Sequence, residues 1–282
     1  MHDNPARAAG DPQPGDRLGP YRLDTVLGDG ATGIVFRARH DRIDRTVALK
    51  VLRAELGDSD VFRKRFLREA RVAAEVEHEN LVPIVEAGEA GGRYYLAAHY
   101  VEGRTLDERL TEGPFSLEEL LRLVGEVGSG LDALHRRGLV HRDVKPSNVM
   151  LDAEGKALLT DFGLAKGPAY TVLTKPGHVL GTLDYLAPEL IRGEGAQAAS
   201  DVYALGCVAF ACIAGQPPFA SANIFEVTVA HLGESPPDPC AERPDLPPAL
   251  SEAVLAALAK DPAERPRSCR AYALSLWLAG RP

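Results

Sequence analysis

The chain has 282 residues, of which 45% are hydrophobic and 26% are charged, and its formal net charge is −8. This is an ordinary composition for a globular protein that buries a core, and the length predicts one bilobal domain or two small ones. The acidic balance argues against a nucleic-acid-binding surface, which usually needs a basic patch.

No targeting or membrane-spanning segment is expected within this chain. The first residues contain no apolar stretch, which excludes a signal peptide of the usual kind. The longest uncharged apolar run, residues 202–215, is too short to cross a bilayer and fits a buried helix. The four cysteines form no C-x-x-C pair, and Cys207 and Cys212, which lie in an apolar run, are predicted to be buried thiols. This cysteine usage predicts a reduced, cytoplasmic protein.

The first third of the chain is predicted to consist mainly of strands. Residues 1–18, rich in Pro, Gly, Ala and Asp, are expected to be disordered. Residues 21–27 and 34–39 have the composition of strands and flank a G-x-G-x-x-G motif at residues 28–33. In a dinucleotide-binding fold this motif would join a strand to a helix. A glycine-rich hairpin can instead close its backbone over phosphates, although a hairpin without a ligand is the simpler alternative.

The next segments carry two charges of interest. Lys50 is the single charge of a predicted strand at residues 46–52 and is either a cation directed at a ligand or an edge residue that reaches solvent. Glu69 lies beside the apolar stripe of a predicted helix at residues 59–77, where it could reach the strand of Lys50 or remain solvated. Two further strands are predicted at residues 80–86 and 93–101.

After residue 103 the pattern becomes mainly helical, so we place a lobe boundary at about residue 101 and predict an α+β fold. A capping box of Ser116 and Glu119 begins the first of these helices. The Pro-rich residues 235–248 are expected to form a long surface loop. The predicted helices are residues 116–135, the apolar run after Asp201, and residues 222–232, 250–258 and 268–278.

A polar loop at residues 141–148, His-Arg-Asp-Val-Lys-Pro-Ser-Asn, gathers groups suited to catalysis. Pro146 makes a continuous helix unfavourable there. Taken alone, the loop could be a solvated turn. A predicted hairpin then leads to Asp161-Phe162-Gly163, and the oxygen donors of Asn148 and Asp161 suit a hard divalent metal such as Mg²⁺.

In their order and spacing, these motifs resemble those of the eukaryotic-like (Hanks-type) serine/threonine protein kinases, particularly the bacterial branch. The resemblance covers residues 19–280, with a small lobe at 19–101 and a large lobe at 102–282. It rests on the glycine-rich loop with Val35, Val47-Ala48-Leu49-Lys50, Glu69, the loop at 141–148, Asp161-Phe162-Gly163, Ala187-Pro188-Glu189 and Asp201.

The resemblance implies a bilobal kinase fold with ATP and Mg²⁺, or Mn²⁺, as cofactors. Lys50, held by Glu69, would bind the α- and β-phosphates, and Asn148 and Asp161 would bind the metal. Asp143 would accept the proton of the substrate hydroxyl while Lys145 neutralises the γ-phosphate. The residues implied in ATP binding are Leu27, Gly28, Gly30, Gly33, Val35, Ala48, Lys50, His99 and Val101.

Other residues are implied in structural roles. His141 and Phe162 would stack with Ala73 in a spine, and Asp201 would anchor the loop backbone. Glu189 would pair with Arg265, with a solvated Arg265 as the alternative. Thr182, after Gly181, would bridge Asp143 and Lys145, which favours Ser/Thr over Tyr as the acceptor.

The activation loop is expected between residues 164 and 186. Thr171 and Thr174 are its candidate phosphorylation sites, and Arg142 would receive the phosphate that orders the loop. The alternative is constitutive activity with an unmodified loop.

The adenine pocket departs from the family pattern at two positions. Val35 and Ala48 would form its roof, with Met150 or Leu151 as its floor. Ala98 occupies the gatekeeper position, where a larger residue is usual, and predicts a deeper back pocket that admits bulky ATP analogues. His99 stands where an acidic residue is common.

Two other functions remain to be weighed. A pseudokinase acting as a binding or scaffold module predicts loss of Lys50, Asp143 or Asp161, and all three are present. A small-molecule phosphotransferase of related fold would not need Gly181-Thr182 or Ala187-Pro188-Glu189. The expected partners are proteins with Ser/Thr acceptors. Dimerisation through the small lobe is common in bacterial relatives, but no residue here requires it.

Overall fold

The computed structural model describes residues 11–57, 59–163 and 183–281. The chain divides into two compact units, one comprising Met1–Ala74 and Pro83–Tyr100 and the other comprising Glu75–Val82 and Val101–Pro282. The described parts comprise an antiparallel sheet unit and a mostly helical unit, and the predicted α+β fold is confirmed.

The first unit is built on a six-stranded antiparallel sheet. Its interior is formed by side chains such as Tyr21, Phe36 and Leu49, which are fully buried. Two helices accompany the sheet, α1 (Ala54–Gly57) and α2 (Asp60–Ala74). The strands are β1 (Arg17–Leu18), β2 (Tyr21–Gly30), β3 (Gly33–His40), β4 (Arg45–Leu52), β5 (Ile84–Ala90) and β6 (Arg93–His99). They lie in the sheet in the order β1-β2-β3-β4-β6-β5.

Residues 11–18 do not form the disordered segment that their composition predicts. Asp11 is buried, and Arg17–Leu18 pairs with β2 as strand β1. Backbone hydrogen bonds also join the two segments, from Gly15 N to Leu23 O at 2.7 Å and from Leu23 N to Asp16 O at 2.9 Å. The prediction was wrong for these residues because sheet hydrogen bonds and ion pairs, which composition does not reveal, hold the segment in place.

Residues 75–82 belong to the second unit rather than to the predicted small lobe. Val82 N donates to Leu159 O at 3.0 Å, and Leu159 N donates to Asn80 O at 2.9 Å. The Asn80 side chain also donates to Ala157 O at 3.0 Å. These hydrogen bonds attach the segment to the strand at Ala157–Leu159, and the strand predicted at residues 80–86 therefore begins later, at Ile84.

The second unit contains a small three-stranded sheet, β7 (Gly103–Thr105), β8 (Val149–Asp152) and β9 (Ala157–Leu159). The hairpin of β8 and β9 was predicted, whereas β7 was not, because three residues carry too little pattern to be identified. The helices described in this unit are α3 (Leu106–Leu110), α4 (Leu117–His135), α5 (Pro188–Ile191), α6 (Ala198–Ala214), α7 (Ile224–Gly233), α8 (Pro248–Ala257) and α9 (Cys269–Ala279).

Helix α6 is the centre of the second unit. Nearly all of its side chains are buried, which explains why the apolar run after Asp201 shows no polar face. The helix ends at Gly215, whose φ of 75° is the left-handed conformation that closes many helices. In the part of the chain that the structure describes, neither this helix nor any other combines the length and apolar character needed to cross a bilayer.

Candidate active site

In the first unit, the glycine-rich motif lies at the turn of the β2–β3 hairpin, as predicted. Gly30 pairs with Gly33 across the turn. A Cβ atom at Gly33 would lie 2.3 Å from Val51 O, so this glycine is required by the close approach of β4. A Cβ atom at Gly28 would meet no atom within 4 Å. The packing of this hairpin therefore does not require a glycine at position 28. The space beside Gly28 is open to the approach of a ligand.

Lys50 and Glu69 occupy the predicted elements of the same unit. Lys50 lies on β4, opposite Val35 on β3 and Leu96 on β6, and Glu69 lies on α2 next to the buried Ala70. Both side chains are partly buried. The ion pair between them stays a prediction.

The end of β6 carries the predicted hinge residues. Ala98 pairs with Ala48 on β4, as expected for a residue beside the roof of a base pocket. His99 N donates to Pro83 O at 2.9 Å, so its carbonyl oxygen, and not its N–H, is the group that could bind adenine. Burial, together with the nearby Arg45, lowers the pKa of His99 and favours the neutral imidazole.

In the second unit, Asp201 fixes the backbone of the polar loop. Its Oδ2 accepts the N–H of His141 at 2.8 Å, and its Oδ1 accepts the N–H of Arg142 at 2.9 Å. Arg142 has a φ of 65°, a conformation that costs a non-glycine residue energy and therefore needs such external support. Asp201 lies in the first turn of the buried helix α6, so the loop is anchored to the core of the unit.

His141 connects this loop to the segment of Asp161. Its Nδ1 accepts the N–H of Asp143 at 3.3 Å, and its Nε2 donates to Thr160 O at 3.1 Å. This pattern requires a neutral ring, and burial lowers the pKa of His141 accordingly. The ring also packs edge-on against Phe162 with centroids 6.0 Å apart. The contact between these two rings is the one expected for the spine.

The carboxylate of Asp143 is held by two other residues of the loop. Asn148 Nδ2 donates to Asp143 Oδ2 at 3.1 Å and to the Asp143 carbonyl at 2.8 Å. Lys145 Nζ lies 3.3 Å from the same Oδ2. The loop thus brings together a carboxylate, a cation and an amide in a fixed arrangement, as the sequence predicts.

The donor set of Asn148 and Asp161 fits a hard divalent cation. Because the Asn148 amide nitrogen is engaged by Asp143, its oxygen Oδ1 is the atom that can bind a metal. Thr160 N donates to Asn148 O at 2.9 Å, which ties Asn148 to the residue before Asp161. An amide oxygen and a carboxylate held in this way are ligands that suit Mg²⁺.

Close packing also requires a glycine at Gly163, two residues after Asp161. A Cβ atom at this position would lie 2.0 Å from His141 O, and the residue has a φ of 39°. Asp161 itself has a φ of 57°. Strain of this kind concentrates at functional sites, where the surrounding structure maintains it.

The predicted pair of Glu189 and Arg265 is present and is fully buried. Two parallel hydrogen bonds of 2.8 Å join the guanidinium to the carboxylate, and Ser200 Oγ donates to Glu189 at 2.7 Å. Burial acts to raise the pKa of Glu189, but the bonds from Arg265 and Ser200 outweigh it and hold that pKa below its usual value. The alternative of a solvated Arg265 is excluded.

A second buried network was not predicted and involves His135, the last residue of α4. His135 Nε2 donates to Asp201 Oδ2 at 2.7 Å, and its Nδ1 lies 3.6 Å from Asp132 Oδ1. Asp132 also caps α9, because it accepts the N–H groups of Cys269 and Arg270. Asp132, His135 and Cys269 are close enough to hold a metal ion, but these hydrogen bonds give them a structural role.

The protonation of His135 is expected to stabilise the fold. Burial acts to lower its pKa, but the bonds to Asp132 and Asp201 raise the pKa of His135 to about 9. An unfolded histidine titrates near pH ~6.5. The stabilisation is therefore complete below that pH and is lost as the pH rises to about 9. We expect the free energy of unfolding to fall by up to about 3 kcal/mol across this window.

Urea denaturation of the wild type and of His135→Gln at a series of pH values measures this effect. The difference between the two proteins isolates His135, because other titrating groups such as Lys260 are common to both. If the free energy of unfolding changes with pH in the same way for both proteins between pH ~6.5 and ~9, His135 carries no proton in the folded state over that range.

A small pocket borders Asp143 in the second unit. Its lining includes Arg142, Tyr185 and Leu186. Leu183 and Leu186 in turn pack against Val227 of α7. The last residues of the predicted activation loop thus lie beside the candidate base. Thr171, Thr174, Gly181 and Thr182 fall outside the described residues.

Comparison with known proteins defines the class of this chain. Residues 21–276 match the protein kinase domain family. Over 90% of its length the chain is 38% identical to the serine/threonine-protein kinase PknD and also to PknJ, both of Mycobacterium tuberculosis. It spans 39% of PknD and 44% of PknJ. The crystal structure of the PknI kinase domain of the same organism superposes with a TM-score of 0.76 at 33% identity. The superposition covers 95% of this chain and 99% of the PknI domain.

The chain therefore belongs to the protein kinase family. Within it, the chain is a member of the Hanks-type bacterial serine/threonine branch, which confirms the resemblance seen in the motifs. It spans about two fifths of the length of the curated relatives it matches.

Proposed function

We propose that this chain is the catalytic domain of a serine/threonine protein kinase. It would transfer the γ-phosphate of ATP to Ser or Thr hydroxyls of proteins with Mg²⁺ or Mn²⁺ as the metal. The observation that carries the proposal is the arrangement around Asp143, whose carboxylate is held by Lys145 and Asn148 in a loop anchored by Asp201.

The chemistry assigns a role to each of these groups. Asp143 accepts the proton as the substrate hydroxyl oxygen attacks the γ-phosphorus, and the bond to the β–γ bridging oxygen breaks to release ADP. Lys145 balances negative charge on the transferred group. The hydrogen bond from Asn148 keeps the Asp143 carboxylate oriented. Asn148 and Asp161 would hold the metal, which would supply neutralisation of phosphate charge.

The remaining assignments concern nucleotide binding. Lys50 binds the α- and β-phosphates and Glu69 orients it, while the backbone of residues 28–33 closes over the phosphates. Leu27, Val35 and Ala48 line the adenine pocket. The carbonyl of His99 and the backbone of Val101 bind the adenine edge. The close pairing of β4 with β3 and β6 supports the placement of Lys50 and Ala48 on a rigid strand.

The test is transfer of labelled γ-phosphate to a mixture of Ser- and Thr-containing proteins, followed by phosphoamino-acid analysis. We expect phosphoserine and phosphothreonine, and no transfer when EDTA removes the metal. ATP binding without any transfer would instead favour the pseudokinase alternative, and labelling of tyrosine alone would refute the acceptor class.

Regulation by autophosphorylation is a further part of the proposal. The backbone of Arg142 is fixed next to Asp143, which supports a role for this residue in coupling a phosphate on the activation loop to the proposed base. We expect Thr171 or Thr174 to be phosphorylated after incubation with Mg·ATP. Mass spectrometry locates the site, and Asp143→Asn serves as the control that cannot phosphorylate itself. Two unmodified threonines in an active enzyme would establish the constitutive alternative.

A further inference from the structure

A chain of four charged side chains links the segment before β1 to the glycine-rich loop. Asp11 Oδ1 lies 3.1 Å from Arg93 Nη1, and Asp11 Oδ2 lies 2.5 Å from Arg53 Nη1. The other terminal nitrogen of Arg53 contacts Asp29 Oδ1. Negative and positive groups therefore alternate in the order Arg93, Asp11, Arg53 and Asp29.

These groups are shielded from solvent to a degree unusual for ion pairs. The exposed fraction of the side chain is 5% for Asp11 and 9% for Asp29, and it is below 20% for both arginines. The two aspartates and two arginines balance one another. Breaking such a shielded set by neutralising one member leaves a buried charge without compensation, which is costly.

The network acts on the part of the unit that is assigned to the phosphates. Asp29 lies between Gly28 and Gly30, and Arg53 contacts this hairpin a second time through its backbone N–H, which donates to Thr32 O at 3.1 Å. Asp11 lies ten residues before the segment that matches the kinase family, which begins at residue 21. Asp11 thus lies outside the matched segment, whereas Arg53 and Asp29, which make the contact to the loop, lie within it.

We propose that Asp11 is a positioning residue for nucleotide binding, acting through Arg53 on Asp29. A carboxylate in a loop that closes over a triphosphate repels the phosphates, unless a cation neutralises the carboxylate and directs it away from them. Arg53 performs this task, and Asp11 holds the guanidinium in the orientation that reaches Asp29. The inference rests on the proposed function of the glycine-rich loop in ATP binding.

The expected consequence is a defect in affinity rather than in chemistry. In Asp11→Asn the Arg53 side chain is less constrained and Asp29 is less well neutralised. We expect the KM for ATP and the dissociation constant of a non-hydrolysable ATP analogue to rise about 3–10-fold, while kcat changes less than about 2-fold. If the role of Asp11 were purely structural, Asp11→Asn would lower stability without raising KM at a nearly constant kcat.

Two further variants make the test specific. Arg53→Lys keeps the charge but has a single nitrogen that cannot hold both carboxylates in this manner, so we expect a similar rise in KM. This variant also keeps the proposal testable if Asp11→Asn does not fold. Asp41→Asn removes a more exposed partner of Arg17 in the same unit and should leave nucleotide affinity unchanged.

The experiment uses the full chain, with calorimetric titration of the ATP analogue and hydrogen exchange of the amides at residues 28–33. Faster exchange in Asp11→Asn, with weaker binding, supports the proposal. Equal affinity of wild type and Asp11→Asn, or a loss of kcat at constant KM, overturns it. A wild type that binds no analogue at all would instead refute the proposed function.

Discussion

Replacing Asp143 by asparagine is expected to lower kcat by about 10²–10⁴-fold, the usual contribution of a positioned general base. Asparagine has nearly the same shape as aspartate but cannot accept the proton of the substrate hydroxyl. The KM for ATP should stay within about 2-fold of the wild-type value, because no role in nucleotide binding is assigned to this carboxylate. Steady-state kinetics with a phosphoacceptor peptide measures both constants.

A matched control separates this effect from a general loss of charge. Asp245 also pairs with a cation, Arg243, but lies at the surface of the second unit. Asp245→Asn should retain the full kcat. If Asp143→Asn kept more than about a tenth of the activity, its role as the base would be refuted, since even the weakest general bases contribute more.

The motifs that identify the family are local, and this is why the sequence predicts which groups meet in the polar loop. Lys145 and Asn148 lie within five residues of Asp143, so the turn at Pro146 is enough to bring them together. The hairpin of β8 and β9 then returns the chain to Asp161. Only short-range pattern and turn chemistry are needed for these inferences.

The pair of Glu189 and Arg265 could be predicted for a different reason. Its members are 76 residues apart, and nothing in their local pattern joins them. The prediction came from the resemblance to the family, and the alternative of a solvated arginine could not be dismissed from the residues alone.

What escaped prediction depends on contacts between distant segments that no motif records. Asp132 and His135 are three residues apart on α4, a spacing that suggests a local pair, but their partners Asp201 and Cys269 are visible only in the fold. Asp11 falls in the segment predicted to be disordered because that segment is rich in Pro, Gly, Ala and Asp. Its two arginine partners lie 42 and 82 residues away.

These networks share one physical feature, which is a carboxylate that accepts bonds from two or more elements. Asp201 joins the ends of α4 and the polar loop to α6, and Asp132 joins α4 to α9. A buried carboxylate must be satisfied by several donors, and it is therefore a strong constraint on the elements that supply them. The loop that carries Asp143 is thus held by Asp201, a residue to which the proposed phosphoryl transfer assigns no chemical role.

The largest effect on stability is expected for Arg265→Met. The change leaves the carboxylate of Glu189 buried without its cation and removes bonds from the guanidinium to the carbonyl oxygens of Ala199, Ala259 and Lys260. Removing one partner of a buried pair costs about 3–5 kcal/mol. For a domain of this size the Tm should fall by on the order of 10 °C, as measured by calorimetry.

The double variant Glu189→Gln/Arg265→Met tests the cause. Because the glutamine is neutral, the double variant should be more stable than Arg265→Met alone, even though it carries one more substitution. The exposed pair of Arg104 and Glu112 provides the control, and Arg104→Met should change stability by less than about 1 kcal/mol. A double variant no more stable than Arg265→Met would show that the lost carbonyl bonds, and not the unpaired carboxylate, account for the destabilisation.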